Sequence, residues 1–144
     1  HLKNVYRPSH ADFTYQEKYG IRDYKGGGRS SARITAAWVA AGAIALQYLQ
    51  KKNIEITAFI QSIGSIDTGL SWPFPSNLKE ISSANVLYCP DLKSVELMQA
   101  AILKAKEEGD SLGGVITCVI KGAPAGLGEP VFSKLSAELG KAML

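Results

Sequence analysis

The residues that could do chemistry together crowd into the first 33 positions. All four arginines (Arg7, Arg22, Arg29 and Arg33) lie there, beside His10, while the twelve lysines are spread along the whole chain. Scattered lysine reads as solvated surface. A guanidinium is different: it is planar, permanently charged, and forks to fit a carboxylate or a phosphate. His10 stands between Arg7 and Asp12, and imidazole is the side chain able to take up and return a proton near neutral pH. The run Gly26-Gly27-Gly28-Arg29-Ser30-Ser31-Ala32-Arg33 adds a candidate anion seat. Its glycines allow backbone angles closed to other residues, and its serines can cap a helix whose free N–H groups and dipole favour negative charge. Plainer accounts stand beside these. The glycine run also suits a flexible helix entry, and the arginines also suit local salt bridges to Asp12, Glu17 and Asp23.

The elements that must position these groups follow from hydrophobic period. Residues 1 to 28 show none, and read as a long structured loop with packed aromatics (Tyr6, Phe13, Tyr15, Tyr19, Tyr24). From Ser31 to about Lys52, Ile34, Trp38, Ala41, Ala45, Tyr48 and Leu49 follow helical spacing, with Ser30 or Ser31 as N-cap. The small residues of this helix suit a buried central element. Residues 54 to 60 alternate as a strand, and residues 61 to 90 read as a peripheral connection with a helical turn near Leu78 and a short strand over 85 to 89. Trp72-Pro73-Phe74-Pro75 reads as a rigid loop packed on its own aromatics, with a partner-binding knob as the alternative. Asp91 or Ser94 caps a second helix with Val95, Met98, Ile102 and Ala105 on one face. Val115 to Lys121 is nearly continuous in apolar residues, as in a strand covered on both faces, and an amphipathic helix follows Pro130.

Composition narrows the classes. With 144 residues, 46% hydrophobic and 20% charged, the chain fits a single globular domain, here numbered 1-144. A net charge of +3 is too small to argue for nucleic acid or a membrane surface. The Ala-rich stretch after Ala36 is broken by Trp38, Gln47 and Tyr48, so no transmembrane helix is expected. Cys89 and Cys118 sit in apolar contexts and read as reduced, buried thiols, which points to the cytoplasm. Gly28 is followed by arginine without Walker spacing, the 122 to 128 loop lacks the dinucleotide fingerprint, no ligand cluster has metal spacing, and no nucleophile motif is present.

Six blocks then carry a resemblance. Arg7-Pro8-Ser9-His10-Ala11-Asp12, Lys18-Tyr19-Gly20 with Arg22-Asp23, the Gly26 to Arg33 run, Val39-Ala40-Ala41-Gly42-Ala43, Gly109-Asp110-Ser111, and Gly126-Leu127-Gly128-Glu129-Pro130-Val131-Phe132 resemble chorismate synthases, in the same order. The resemblance implies an α/β fold of the family's β-α-β sandwich type, with antiparallel sheets packed on helices and only part of it in this chain. It implies a lyase of the shikimate pathway that turns 5-enolpyruvylshikimate 3-phosphate into chorismate and phosphate. Reduced FMN would be the cofactor, with NADPH as a candidate reductant, and the assembly a homotetramer. It implies that His10 lies beside the flavin and transfers a proton, that Arg29, Ser30 and Ser31 contact FMN, and that Arg33 reaches the anionic substrate. Three positions depart from the pattern: Ser9 for a commoner glycine, Ile34 for glutamate, and Trp38 for arginine. The family's N-terminal histidine motif and C-terminal flavin-binding segment are not among these residues, so the 144 residues alone are expected to be inactive. The competing class is a non-catalytic anion-binding or assembly module, which would use the arginines without His10.

Overall fold

A computed structural model describes residues 2–144. By contact the chain falls into two compact units, His1–Tyr48 and Leu49–Leu144.

The first unit carries α1 (Asp12–Tyr19), two short 3-10 turns at Gly28–Ser30 and Ala32–Ile34, and most of α2 (Thr35–Gln50). The α1 helix is a correction to the reading of residues 1 to 28 as a long structured loop without a regular element. Its apolar residues do not fall on one stripe, so hydrophobic period gives it no signal. It is held instead by its ends: Asp12 sits in the first turn, Lys18 in the last, and Gly20 stops it in the left-handed conformation. Tyr6 packs edge-on against Phe13, and Tyr15 lies tilted against Tyr19, as the aromatic content of this stretch leads one to expect.

The helix after Ser31 forms, but its environment differs from expectation. None of α2's residues is buried by the described residues. Ala32–Gln50 is also long and apolar enough, by length and composition alone, to cross a membrane. Trp38, Gln47 and Tyr48 therefore do not outweigh the apolar residues around them, and the core helix of a globular protein has the same length and composition.

The second unit is built on the antiparallel sheet β2-β1-β3, from β1 (Glu55–Ile63), β2 (Ile66–Asp67) and β3 (Gly114–Lys121). β1 pairs with β3 from Glu55↔Lys121 to Ile63↔Gly114, with an irregularity between Ile60 and Ser62. Phe59, Leu78 and Val119 form one buried cluster, with Phe74 and Ile81 against it. Leu78 and Ile81 come from α3 (Leu78–Ser83). Ile63, Cys89, Val95 and Met98 form another cluster, the last two from α4 (Leu92–Glu107). Asp91 caps α4, accepting from the Ser94 N–H at 3.0 Å and the Ser94 hydroxyl at 2.6 Å.

The Trp72 to Pro75 segment is the self-packed loop: Trp72 meets Phe74 edge-on, and Phe74 meets core Phe59. Residues 85 to 89 form turns instead of a strand, although Ile60 N–H donates to Tyr88 O at 3.0 Å. Asn85 explains this, since its side chain accepts from the N–H groups of Leu87 and Cys89 and donates to Cys89 O, closing a turn. β3 corrects the two-sided burial expected of it, for only Val119 is buried. A small hairpin of β4 (Gly128–Glu129) and β5 (Ser133–Lys134) leads into α5 (Leu135–Met143). Both cysteines are free; Cys89 is buried, while Cys118 is exposed, contrary to its expected burial.

Candidate functional site

Asp12 is the hub of the first unit. As the first residue of α1 it is almost wholly buried, with 1% of its side chain exposed. Its Oδ2 accepts from Arg22 Nη1 at 2.7 Å, and from Arg7 N and Nε at 3.4 Å each. Arg22 reaches further, donating through Nη2 to the carbonyls of Leu2, Lys3 and Val5, and lies over the Tyr6 ring at 4.5 Å. One carboxylate and one guanidinium thus tie the N-terminal loop to α1. Burial alone would raise the Asp12 carboxyl, but the hydrogen bonds from Arg7 and the charges of Arg22 and Arg7 outweigh it and hold it below the ordinary 3.8.

His10 is placed by the same residue. Its Nδ1 accepts from the Asp12 main-chain N–H at 3.1 Å, and lies 3.5 Å from Asp12 Oδ1. The turn before it is tight, with Ser9 at φ 56. That accounts for the commoner glycine at this position, which takes this backbone without strain, whereas serine there costs about 1 kcal/mol.

The glycine run folds as a cradle. Asp23 Oδ1 accepts from the N–H groups of Lys25 and Gly26 at 3.0 Å each, and Gly27 N–H donates to Asp23 O at 2.9 Å. Hydrogen bonding from Gly26 leads in holding the Asp23 carboxyl below 3.8, against burial, with Lys25, Gly28 and the Arg33 charge adding to it. Gly27 takes φ 80 and Gly28 φ 50. Gly27 O then accepts both the N–H and the hydroxyl of Ser30, at 2.9 and 2.6 Å. Ser31 is the cap of the following turn, accepting from Arg33 N at 3.4 Å.

Arg29, Ser30, Ser31 and Arg33 are therefore brought onto two successive 3-10 turns joined at an extended Ser31. Their side chains are not equally available. Arg33 donates to Gly26 O at 3.0 Å and lies 3.9 Å from Asp23 Oδ2, while 64% exposed. Arg29 is exposed and makes no side-chain hydrogen bond or ion pair among the described residues. It lines a pocket of about 600 Å³ with Tyr15, Tyr19, Ile21, Arg22, Asp23, Gly27 and Gly28. His10 is not among the residues of that wall.

The local salt-bridge account thus holds for Arg7 and Arg22, and loosely for Arg33, and leaves Arg29 as the free cation among the described arginines. Sequence reasoning named Asp12 and Arg22 without seeing that they form the knot that holds His10. The signal was present in the spacing Arg7-x-x-His10-x-Asp12 at a helix start. The tyrosines of the pocket were seen as packing only.

A cleft of this volume, with aromatic and apolar walls beside Arg22 and the unpaired Arg29, suits a small organic anion carrying phosphate or carboxylate. The first unit thus presents a cleft carrying a free guanidinium and, apart from it, a positioned histidine. The comparisons give the particular family. The family model for chorismate synthase matches residues 1–144, and the chain belongs to that family. It is 55% identical over its whole length to the chorismate synthase of Flavobacterium psychrophilum and 54% identical to that of Christiangramia forsetii. It spans 39% and 40% of those two relatives. A crystal structure of a chorismate synthase matches with a TM-score of 0.70 and 32% identity, over 83% of this chain and 38% of the other. That match agrees with the expected α/β class.

Proposed function

We propose that the protein acts in a chorismate synthase, converting 5-enolpyruvylshikimate 3-phosphate into chorismate and phosphate. The observation that carries this reading, beyond family membership, is the unpaired Arg29 on a pocket of about 600 Å³. In the elimination one C–H and one C–O bond break, a C=C bond forms, and phosphate leaves with the C–O electron pair. Redox state is unchanged overall. The residues present fit FMN in part: Tyr15, Tyr19 and Ile21 offer apolar wall for a ring system, and Arg29 a fork for its phosphate. Reduced FMN, when bound, supplies electron density to the breaking C–O bond.

The chain's own residues hold and orient. Arg29 anchors an anionic group, Ser30 and Ser31 fix the turn that carries it, and Arg33, weakly held and exposed, can swing to a substrate carboxylate or phosphate. His10 is the proton-transfer group, and Nε2, the ring nitrogen left without a partner among the described residues, carries the N–H free to reach a ligand. We read α2 as an interior helix of the complete enzyme, because an element apolar all round is built for burial and its alanines let neighbours approach closely. The free thiols suit a cytoplasmic enzyme, and a homotetramer with NADPH-supplied reduction completes the reading.

The test is chorismate formation by the full-length protein under anaerobic conditions with reduced FMN. His10→Ala should lower turnover by about 10²-fold or more while leaving fold and assembly intact. Unchanged turnover in that variant would favour the anion-binding or assembly module. The 144-residue polypeptide alone, spanning 39% of its relative, should give little or no chorismate.

A further inference from the structure

We infer that Asp12 is the positioning residue for His10, fixing which ring nitrogen carries the proton and holding the ring in both of its protonation states. The inference deepens the reading of His10 as the proton-transfer group and rests on it.

Two contacts from one residue carry it. The Asp12 main-chain N–H donates to His10 Nδ1 at 3.1 Å, so in the neutral ring Nδ1 is the bare nitrogen and the proton sits on Nε2. This donor is a helix N-terminal amide. Such amides have no partner within the helix and are free to bind elsewhere. The second contact is held in reserve. Asp12 Oδ1 is buried and has no hydrogen-bond partner, although Oδ2 of the same carboxylate serves both Arg7 and Arg22. Oδ1 lies 3.5 Å from His10 Nδ1. When Nδ1 takes a proton it can no longer accept from the main chain, and a small ring rotation lets it donate to the idle Oδ1 instead. A buried acceptor without a donor is an unusual feature, and this exchange gives it one.

The arrangement lets the ring change charge without leaving its place. The charged groups gathered there are Arg7, Asp12 and Arg22; Arg7 Nε and Arg22 Nη1 are committed to Oδ2, while Arg7 Nη2 is buried without a partner. The two arginines hold the carboxylate so that Oδ1 stays turned to the imidazole. Asp12 itself touches no reacting atom and acts only through His10.

The experiment is nitrogen-15 NMR of histidine-labelled full-length protein, with His10→Ala to assign the ring signals. The unmodified protein should show the neutral ring protonated on Nε2. Asp12→Asn keeps the main-chain N–H and the shape while removing the charge. It should keep that tautomer, lose protection of the Nδ1 proton in the charged ring, and lower kcat about tenfold with a much smaller change in KM. Asp12→Glu should restore part of the loss. A neutral ring protonated on Nδ1 in the unmodified protein overturns the inference, whatever the variants do, and so does an Asp12→Asn enzyme with unaltered kcat. If His10→Ala retains full turnover, the catalytic reading fails separately, while the tautomer still reports the placement.

Discussion

Replacing Gly27 by alanine tests whether the cradle, and not merely the charge it carries, makes the anion site. Gly27 is buried and adopts φ 80, a conformation in which an L-residue other than glycine is strained by about 1–2 kcal/mol. A Cβ there would stand 3.3 Å from Ser31 Cβ and 3.4 Å from Ser31 Cα and N. These are tight contacts with backbone and a capping side chain, not with a flexible tip, so Ser31 must shift by a few tenths of an ångström. Ser31 caps the turn that presents Arg33, and Gly27 O holds Ser30 on the far side of Arg29. Strain and crowding together come to about 2 kcal/mol, and at 1.4 kcal/mol per tenfold this bounds the loss of flavin affinity at roughly 30-fold. Part of the strain is expressed as lower stability of the turn, so a loss of about 5-fold to 30-fold is expected. Titration of reduced FMN in the presence of substrate measures it. Gly64→Ala is the control: φ is 57 there as well, but the nearest atom a Cβ would meet is Leu112 Cδ2 at 3.7 Å, an ordinary contact, in the other unit. It should lose about 1 kcal/mol of stability and no flavin affinity. Gly27→Ala binding within twofold of the parent, or Gly64→Ala weakening it equally, refutes the cradle.

Arg29→Ala should weaken binding of a phosphate-bearing ligand about tenfold or more, and Arg29→Lys should recover only part, since an ammonium keeps the charge and loses the bidentate fork; equal affinities for the alanine variant and the parent would remove Arg29 from the site. Asp91→Ala removes the α4 cap and should lower stability by about 1 kcal/mol in urea unfolding at neutral pH. The Ser94 hydroxyl and N–H depress the Asp91 carboxyl below 3.8 in the fold, so its contribution is complete above that value and disappears as pH falls toward the folded value; the penalty of Asp91→Ala should therefore shrink on acidification through that window. Burial pushes the Cys89 thiol up, and with 0% exposure it should resist iodoacetamide in the native protein and react once urea unfolds it, as followed by intact mass.

Much of the site was legible as local sequence and little of it as partnership. The turn from Gly26 to Arg33 formed as its glycines and serines demand, because φ preference and capping act over a few residues. What each arginine does was not legible, because that depends on which carboxylate the fold brings to it. Arg22 finds Asp12 across ten residues, and Arg33 finds Asp23 across the same span. Arg29 is distinguished only by having no such neighbour. The Ser9 departure shows the converse case, in which a backbone angle explains a residue preference that no side-chain contact could.

Burial separates the two kinds of information further. Cap and period gave α4 correctly: Val95, Met98 and Ala105 of its stripe are buried, whereas Ile102 of the same stripe is exposed. The same reasoning gave β3 two covered faces and α2 a central place, yet within the described residues Ile116 is 71% exposed, Val39 72% and Trp38 63%. Patterning records the environment a segment is selected for, whereas exposure depends on what is present to cover it. Each mostly bare side chain of this size forgoes about 1–3 kcal/mol of burial, so a helix and a sheet face carrying several of them are not at their free-energy minimum in water without further surface. Relatives of more than twice this length have chain enough to supply that surface, which is why the His10–Asp12–Arg22 knot of the first unit, held by its own short-range hydrogen bonds, is the part whose geometry these residues specify most completely.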